Sequence, residues 1–140
     1  MSAVRKIKDA TQRQRKMTVL WCLNESCELY GHECYETTCT RCSLPVHRLT
    51  WSVVICEPRG VYMGLCEWPV GELPKALKVY CCRSCVYYVG TGSQGLATIG
   101  PEKGSRITGA VDEALLANPR SLHAVTPDAL SKWEDEPWNR

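Results

Sequence analysis

The sequence predicts a small α+β fold, with a β-hairpin set between two cysteine knuckles and short helices toward the C-terminus. Three observations predict it. Ten cysteines stand in 140 residues, running C-x4-C-x4-H-x-C-x4-C-x2-C through Cys22, Cys27, His32, Cys34, Cys39 and Cys42, with a last C-x2-C at Cys82 and Cys85. Between these clusters lie two runs rich in β-branched and aromatic residues, 48–56 and 61–68, separated by Glu57-Pro58-Arg59-Gly60. Beyond residue 107, helix caps and stops recur.

In chain order, residues 1–17 form a basic arm, 18–90 a cysteine-rich core, 91–107 a glycine-rich linker and 108–140 a helical tail. Thr18 to Trp21 is apolar and β-prone and leads into the first knuckle. Pro58 at the second turn position and Gly60 at the fourth favour a type I turn, so the two runs read as a hairpin. A two-residue loop then sets Cys56 opposite Val61 and Cys66 opposite Trp51. That register puts Cys56 and Cys66 about 16 Å apart along the strands and on opposite faces. They read as buried hydrophobes, the usual lot of free cysteine. Lys78 to Tyr80 reads as a short strand, and Cys82-Arg83-Ser84-Cys85 as the start of a short helix stopped by Gly90. In the tail, Gly109 to Asn118 is a helix candidate capped by Thr108 and stopped by Pro119. A second runs from Pro127 to Glu136, with Thr126 as N-cap and proline at the first helical position.

Residues 1–17 contain no apolar stretch of the signal-peptide kind, and no run in the chain is long enough to span a bilayer. The expectation is a soluble intracellular protein with reduced thiols. Reduced cysteines in C-x2-C pairs are zinc ligands, because a tetrahedral ion takes four thiolates or imidazoles and each tight knuckle supplies two. Cys22, Cys27, His32, Cys34, Cys39, Cys42, Cys82 and Cys85 make eight candidate ligands, enough for two zinc ions, with Cys81 as a spare.

Two pairings fit. In one, Cys22, Cys27, His32 and Cys34 hold one zinc, and Cys39, Cys42, Cys82 and Cys85 the other. The second of these sites resembles a treble clef: a knuckle, a hairpin, then a helix carrying the last two ligands, with its dipole favouring thiolate. In the crossed pairing, Cys22, Cys27, Cys39 and Cys42 share one ion, while His32, Cys34, Cys82 and Cys85 share the other. That order resembles RING and PHD modules over residues 22–85. A plain zinc ribbon on Cys22, Cys27, Cys39 and Cys42 is the minimal alternative. The treble-clef pairing is preferred.

The formal net charge of +2 conceals an asymmetry: Arg5, Lys6, Lys8, Arg13, Arg15 and Lys16 face only Asp9 in the arm. A basic arm beside a zinc module implies phosphate contacts. The expectation is therefore a non-enzymatic, zinc-stabilised regulatory protein that binds RNA or DNA. The arm, Arg41 and Arg48 would contact phosphates, and Tyr30, Tyr35 and Tyr87 would stack on bases. The alternative is a protein-interaction adaptor, RING-like in its resemblance, anchored by Trp21, Trp51, Trp68 and Trp138. In size and composition the chain also resembles small cysteine-rich regulators and silencing suppressors of viruses and phages.

Several signals resemble catalytic ones and lack their context. Gly90-Thr91-Gly92-Ser93-Gln94-Gly95 matches G-x-G-x-x-G, but Gly100 and Pro101 soon break any helix and no βαβ unit surrounds it. His32-Glu33 lacks the spacing of a zinc deaminase. His47 and His123 have no carboxylate at a motif spacing.

Overall fold

Ten consecutive residues, His47–Cys56, organise the molecule. The computed structural model describes residues 17–87, 92–102 and 104–135. Its strands are β1 (Thr18–Trp21), β2 (His47–Cys56), β3 (Val61–Cys66), β4 (Ala76–Tyr87), β5 (Arg106–Ile107), β6 (Val111–Ala117) and β7 (Pro119–Ala124). Its helices are α1 (Gly92–Thr98) and α2 (Pro127–Asp135). All strand pairs are antiparallel, in the order β1-β2-β3-β4-β5, with β7 also on β2 and β6 also on β4.

This mostly antiparallel sheet, curled into a half-barrel, replaces the expected α+β fold with a helical tail. The reason lies in β2, where every residue from Trp51 to Cys56 is buried. A strand apolar on both sides needs cover on both faces. Leu49, Trp51, Val53 and Ile55 pack with Met63, Leu65 and the helical residues Leu96, Ala97, Leu130 and Trp133. Val54 and Cys56 point the other way, meeting Cys66, Leu77, Val79, Cys82 and Leu116 inside the curl. Residues 111–117, expected as a helix, supply Leu116 to that inner cluster and pair with β4 along its first half. A helix there would leave one edge of β4 and the inner cluster open.

Asn118 joins the two ends of the curl. It lies between β6 and β7 with φ 52°, a conformation asparagine tolerates. Its N–H donates to the Lys75 carbonyl at 2.7 Å and its own carbonyl accepts from Glu57 N–H at 3.0 Å. One residue thus links the strand on β4 to the strand on β2.

Two local departures redirect the cysteines. The β2–β3 hairpin forms, but Ile55 faces Val61 and Thr50 faces Cys66. The longer turn moves the register by one residue from the expected one, and a one-residue slip exchanges faces. Cys56 and Cys66 therefore lie on the same, inner face.

The second departure is a bulge in β4. Met63 pairs with Arg83 and Leu65 with Tyr80, so Cys81 and Cys82 together oppose Gly64, and Cys81 takes φ 53°. Gly64 has no alternative, since a Cβ there would stand 2.6 Å from Val79 and 2.7 Å from the Tyr80 carbonyl.

The expected helix at Cys82 is thus the continuation of a twelve-residue strand. The expected linker contains α1, with Leu96 and Ala97 in the core. α2 starts where its signals place it, Thr126 Oγ1 accepting from Ala129 N–H at 3.2 Å. Its Trp133 is fully buried and donates Nε1–H to the Leu96 carbonyl at 3.0 Å.

Candidate metal centre

Residues 22–45 leave the sheet after β1 and return to it at β2, forming two tight turns. In the first, Asn24 Oδ1 accepts from Ser26 N–H and its carbonyl accepts from Cys27 N–H, at 3.1 and 2.9 Å. In the second, the Cys39 carbonyl accepts from Ser43 N–H at 2.9 Å, with Ser43 at φ 63°. The lobe is tied to the body by a bridge from Glu33 to Trp21 of β1, and a second bridge, Cys22 to Tyr30, closes it internally. Tyr30 also donates its hydroxyl to Glu113 of β6.

The turns bring Cys22, Cys27, Cys39 and Cys42 together, with all four sulfurs within 4.8 Å of one another. Cys22 Sγ lies 3.8 Å from Cys42 Sγ, and Cys27 Sγ lies 3.7 Å from Cys39 Sγ. A tetrahedral thiolate site with bonds of about 2.3 Å has sulfur–sulfur edges of about 3.8 Å. The donor set therefore fits a single four-coordinate metal ion.

Backbone geometry prepares these sulfurs for charge. Each accepts an N–H from two residues downstream: Asn24 on Cys22, Leu29 on Cys27, Arg41 on Cys39 and Leu44 on Cys42. The Cys42 and Arg41 amides pull the Cys39 thiol down to about 6. The Leu44 amide and the Asn24 side chain lower Cys42 as well. Burial pushes Cys22 up to about 12. Four thiols this close do not all ionise by themselves, and a divalent cation held among them would supply the compensating charge.

The remaining sequence-predicted ligands lie elsewhere. Among the described residues these four cysteines are the one group of three or more potential ligands this close together. Cys39 and Cys42 thus lie with Cys22 and Cys27, the set common to the crossed pairing and the plain ribbon, rather than with Cys82 and Cys85 as the preferred pairing expects. Those two sit on a strand, where residues three apart point to opposite faces. Cys82 is inside the curl and Cys85 is under the helices. His32 lies outside the cluster. Cys34 stands beside it, with its Sγ turned toward the His32 carbonyl at 3.7 Å and its thiol pushed up by burial and by Cys39.

The other predicted contacts divide similarly. Arg41 is exposed and forms an ion pair with Glu28 at 3.5 Å, and Arg48 is exposed on β2. Arg5, Lys6, Lys8, Arg13, Arg15 and Lys16 lie outside the described residues, as do Trp138 and the side chain of Tyr87. Trp21 and Trp51 are fully buried and anchor the core, whereas Trp68 is 45% exposed and Tyr35 is 80% exposed. β4 precedes the G-x-G-x-x-G segment and the seven-residue α1 overlaps it, but the sheet is antiparallel and no βαβ unit forms. His47, without a sequence partner, meets Glu67 across the hairpin, Nδ1 lying 3.0 Å from Oε2. Spacing along the chain gave no signal for that pair.

No helix among the described residues is long and apolar enough to cross a membrane. No family model, curated protein or solved structure matches this chain.

Proposed function

We propose that the protein is a non-catalytic adaptor whose zinc-stapled β module docks a protein partner. The tetrahedral all-sulfur donor set supports zinc as the ion, in a closed structural role that leaves no position for substrate. The observation that carries the adaptor reading is the distribution of charge. Residues 17–140 hold eleven Lys and Arg against fourteen Asp and Glu, and four zinc-bound thiolates add further negative charge. The lobe around the centre contributes Glu25, Glu28, Glu33 and Glu36, and Arg41 is already paired there. Such a body repels a phosphate backbone, while its exposed apolar side chains Tyr35, Leu44, Trp68 and Val70 suit a protein surface.

The arm favours a second reading. Six basic residues and one acidic residue in positions 1–16 suit nucleic acid, with the arm as the only phosphate-binding part.

A mobility shift with single-stranded RNA at two salt concentrations tests the first reading. The adaptor reading expects any low-salt shift to vanish when residues 1–16 are removed and to be unaffected by Arg41→Ala with Arg48→Ala. A shift of the full-length protein that persists at the higher salt, or one that survives loss of the arm and weakens in the arginine variants, overturns it.

A further inference from the structure

Where the metal lobe meets the sheet, the turn between β3 and β4 encloses a slot of about 410 Å3. Leu23 of the lobe forms one wall, Trp68 and Pro74 of the turn form another, and Tyr80 of β4 is part of the lining. Two charged side chains line it, Lys78 and Glu67, the latter already met by His47 from across the hairpin at 3.0 Å.

Trp68 is the exposed tryptophan of the described residues, since Trp21, Trp51 and Trp133 are all fully buried. Its polar edge is already committed: Nε1–H donates to Ser52 Oγ at 2.8 Å, and that buried hydroxyl donates to the Thr50 carbonyl at 3.0 Å. The indole is therefore held in place with no free donor of its own, and what it offers a ligand is an aromatic surface. An anchor fixed before binding loses little freedom on contact.

The lining itself carries one carboxylate and one ammonium, and two further carboxylates, Glu113 and Glu25, stand nearby. Glu113, Glu25 and Glu67 all lie near enough to act on the Tyr80 hydroxyl, which burial first and then these carboxylates push up to about 12. Lys78 is the cation in the lining. It is partly exposed and reaches Glu113 only at 4.0 Å, so its flexible stem can swing toward water. Aromatic surface, apolar walls and surplus carboxylate together suit a cation carried on an apolar stem.

We propose that this slot receives a lysine or arginine side chain presented by an apolar segment of a protein partner. The stem lies against Leu23 and Pro74, the charged head meets Trp68 and Glu67, and flanking apolar residues cover Val70, which is fully exposed at the tip of the turn. The inference rests on the adaptor reading and names the chemistry of its partner.

The test is an NMR titration of the full-length zinc-loaded protein with acetyl-Leu-Lys-Leu-amide, its arginine counterpart and its norleucine counterpart. The basic peptides should shift the Trp68 indole signal and the amides of Glu67 and Tyr80 saturably, and the norleucine peptide should not. Trp68→Ala should weaken binding by about ten-fold or more, and Glu67→Gln by about three-fold, with a flatter salt dependence. Trp68→Phe, which keeps an aromatic face, should retain most of the affinity, and unchanged zinc content and circular dichroism verify that each variant is folded.

Equal binding of the norleucine peptide, shifts confined to residues outside the slot, or no saturable shift overturns the proposal. So does a dinucleotide that shifts the same signals more tightly, or the same shifts on comparing full-length and arm-deleted protein without peptide. If the peptides fail while the full-length protein gives no RNA shift at the higher salt, the slot assignment is wrong and the adaptor reading stands.

Discussion

At the scale of single residues, cysteine plays two roles here, separated by backbone context. Cys39 sits in a turn whose amides stabilise thiolate, whereas Cys66 is fully buried among apolar side chains. We expect Cys39→Ser to lose the metal and Cys85→Ser to retain it at a cost of about 1 kcal/mol in packing. Native mass spectrometry reads both outcomes. Cys66 supplies a pH test. Burial raises its thiol from 9.0 to about 11, so the folded state favours the neutral form. Its contribution is fully present below pH 9.0 and is lost as pH rises through about 11. Two units correspond to about 3 kcal/mol. In reducing buffer, Cys66→Val should lose less stability than the parent across that alkaline range in urea titrations. The knuckles were legible in the sequence because C-x4-C and C-x2-C spacings report a local turn. The sorting of Cys82 and Cys85 was not, because it depends on whether residues 82–85 are helix or strand, and the inner cluster that decides this comes from distant parts of the chain.

At the scale of elements, α2 is fastened to β4 by more than apolar contact. Arg83 Nη2 lies 3.0 Å from Glu134 Oε2, with side-chain exposures of 11% and 0%, and Arg83 Nη1 donates to the Thr108 carbonyl at 3.1 Å. Removing one charge of a buried pair strands the other. Glu134→Gln should therefore lower stability by about 3 kcal/mol in denaturant titrations, while an apolar replacement of both partners should recover most of the loss. Chelation tests the lobe: hydrogen exchange of residues 22–45 should accelerate first, while β2 and β3 stay protected by the two cores. The hairpin and α2 were readable from turn residues and the Thr126-Pro127 cap. β6 was not, because Thr108 and Pro119 bracket it with helix-like punctuation, and pairing with β4 overrides local preference.

For the whole molecule, the separation of charge between arm and body governs salt dependence. If the arm alone meets phosphate, six cations on single-stranded RNA give a log–log slope of about −4, and deletion of residues 1–16 should bring it close to zero. The sheet's curl was hidden from the sequence for a related reason of scale. Every residue from Trp51 to Cys56 announces burial, but nothing in that run says that its inner cover arrives from residues 114 and 116, far along the chain.

The join at Asn118 sets an order of events during synthesis. All four ligands of the metal centre have emerged once Cys42 has, so the lobe can load its ion while most of the sheet is still unmade. β2 and β4, by contrast, each wait with an open edge for the segment on either side of Asn118. Chains halted before residue 111 should carry metal yet aggregate through those edges, and ribosome-stalled lengths assayed for zinc and for sedimentation would separate the two steps.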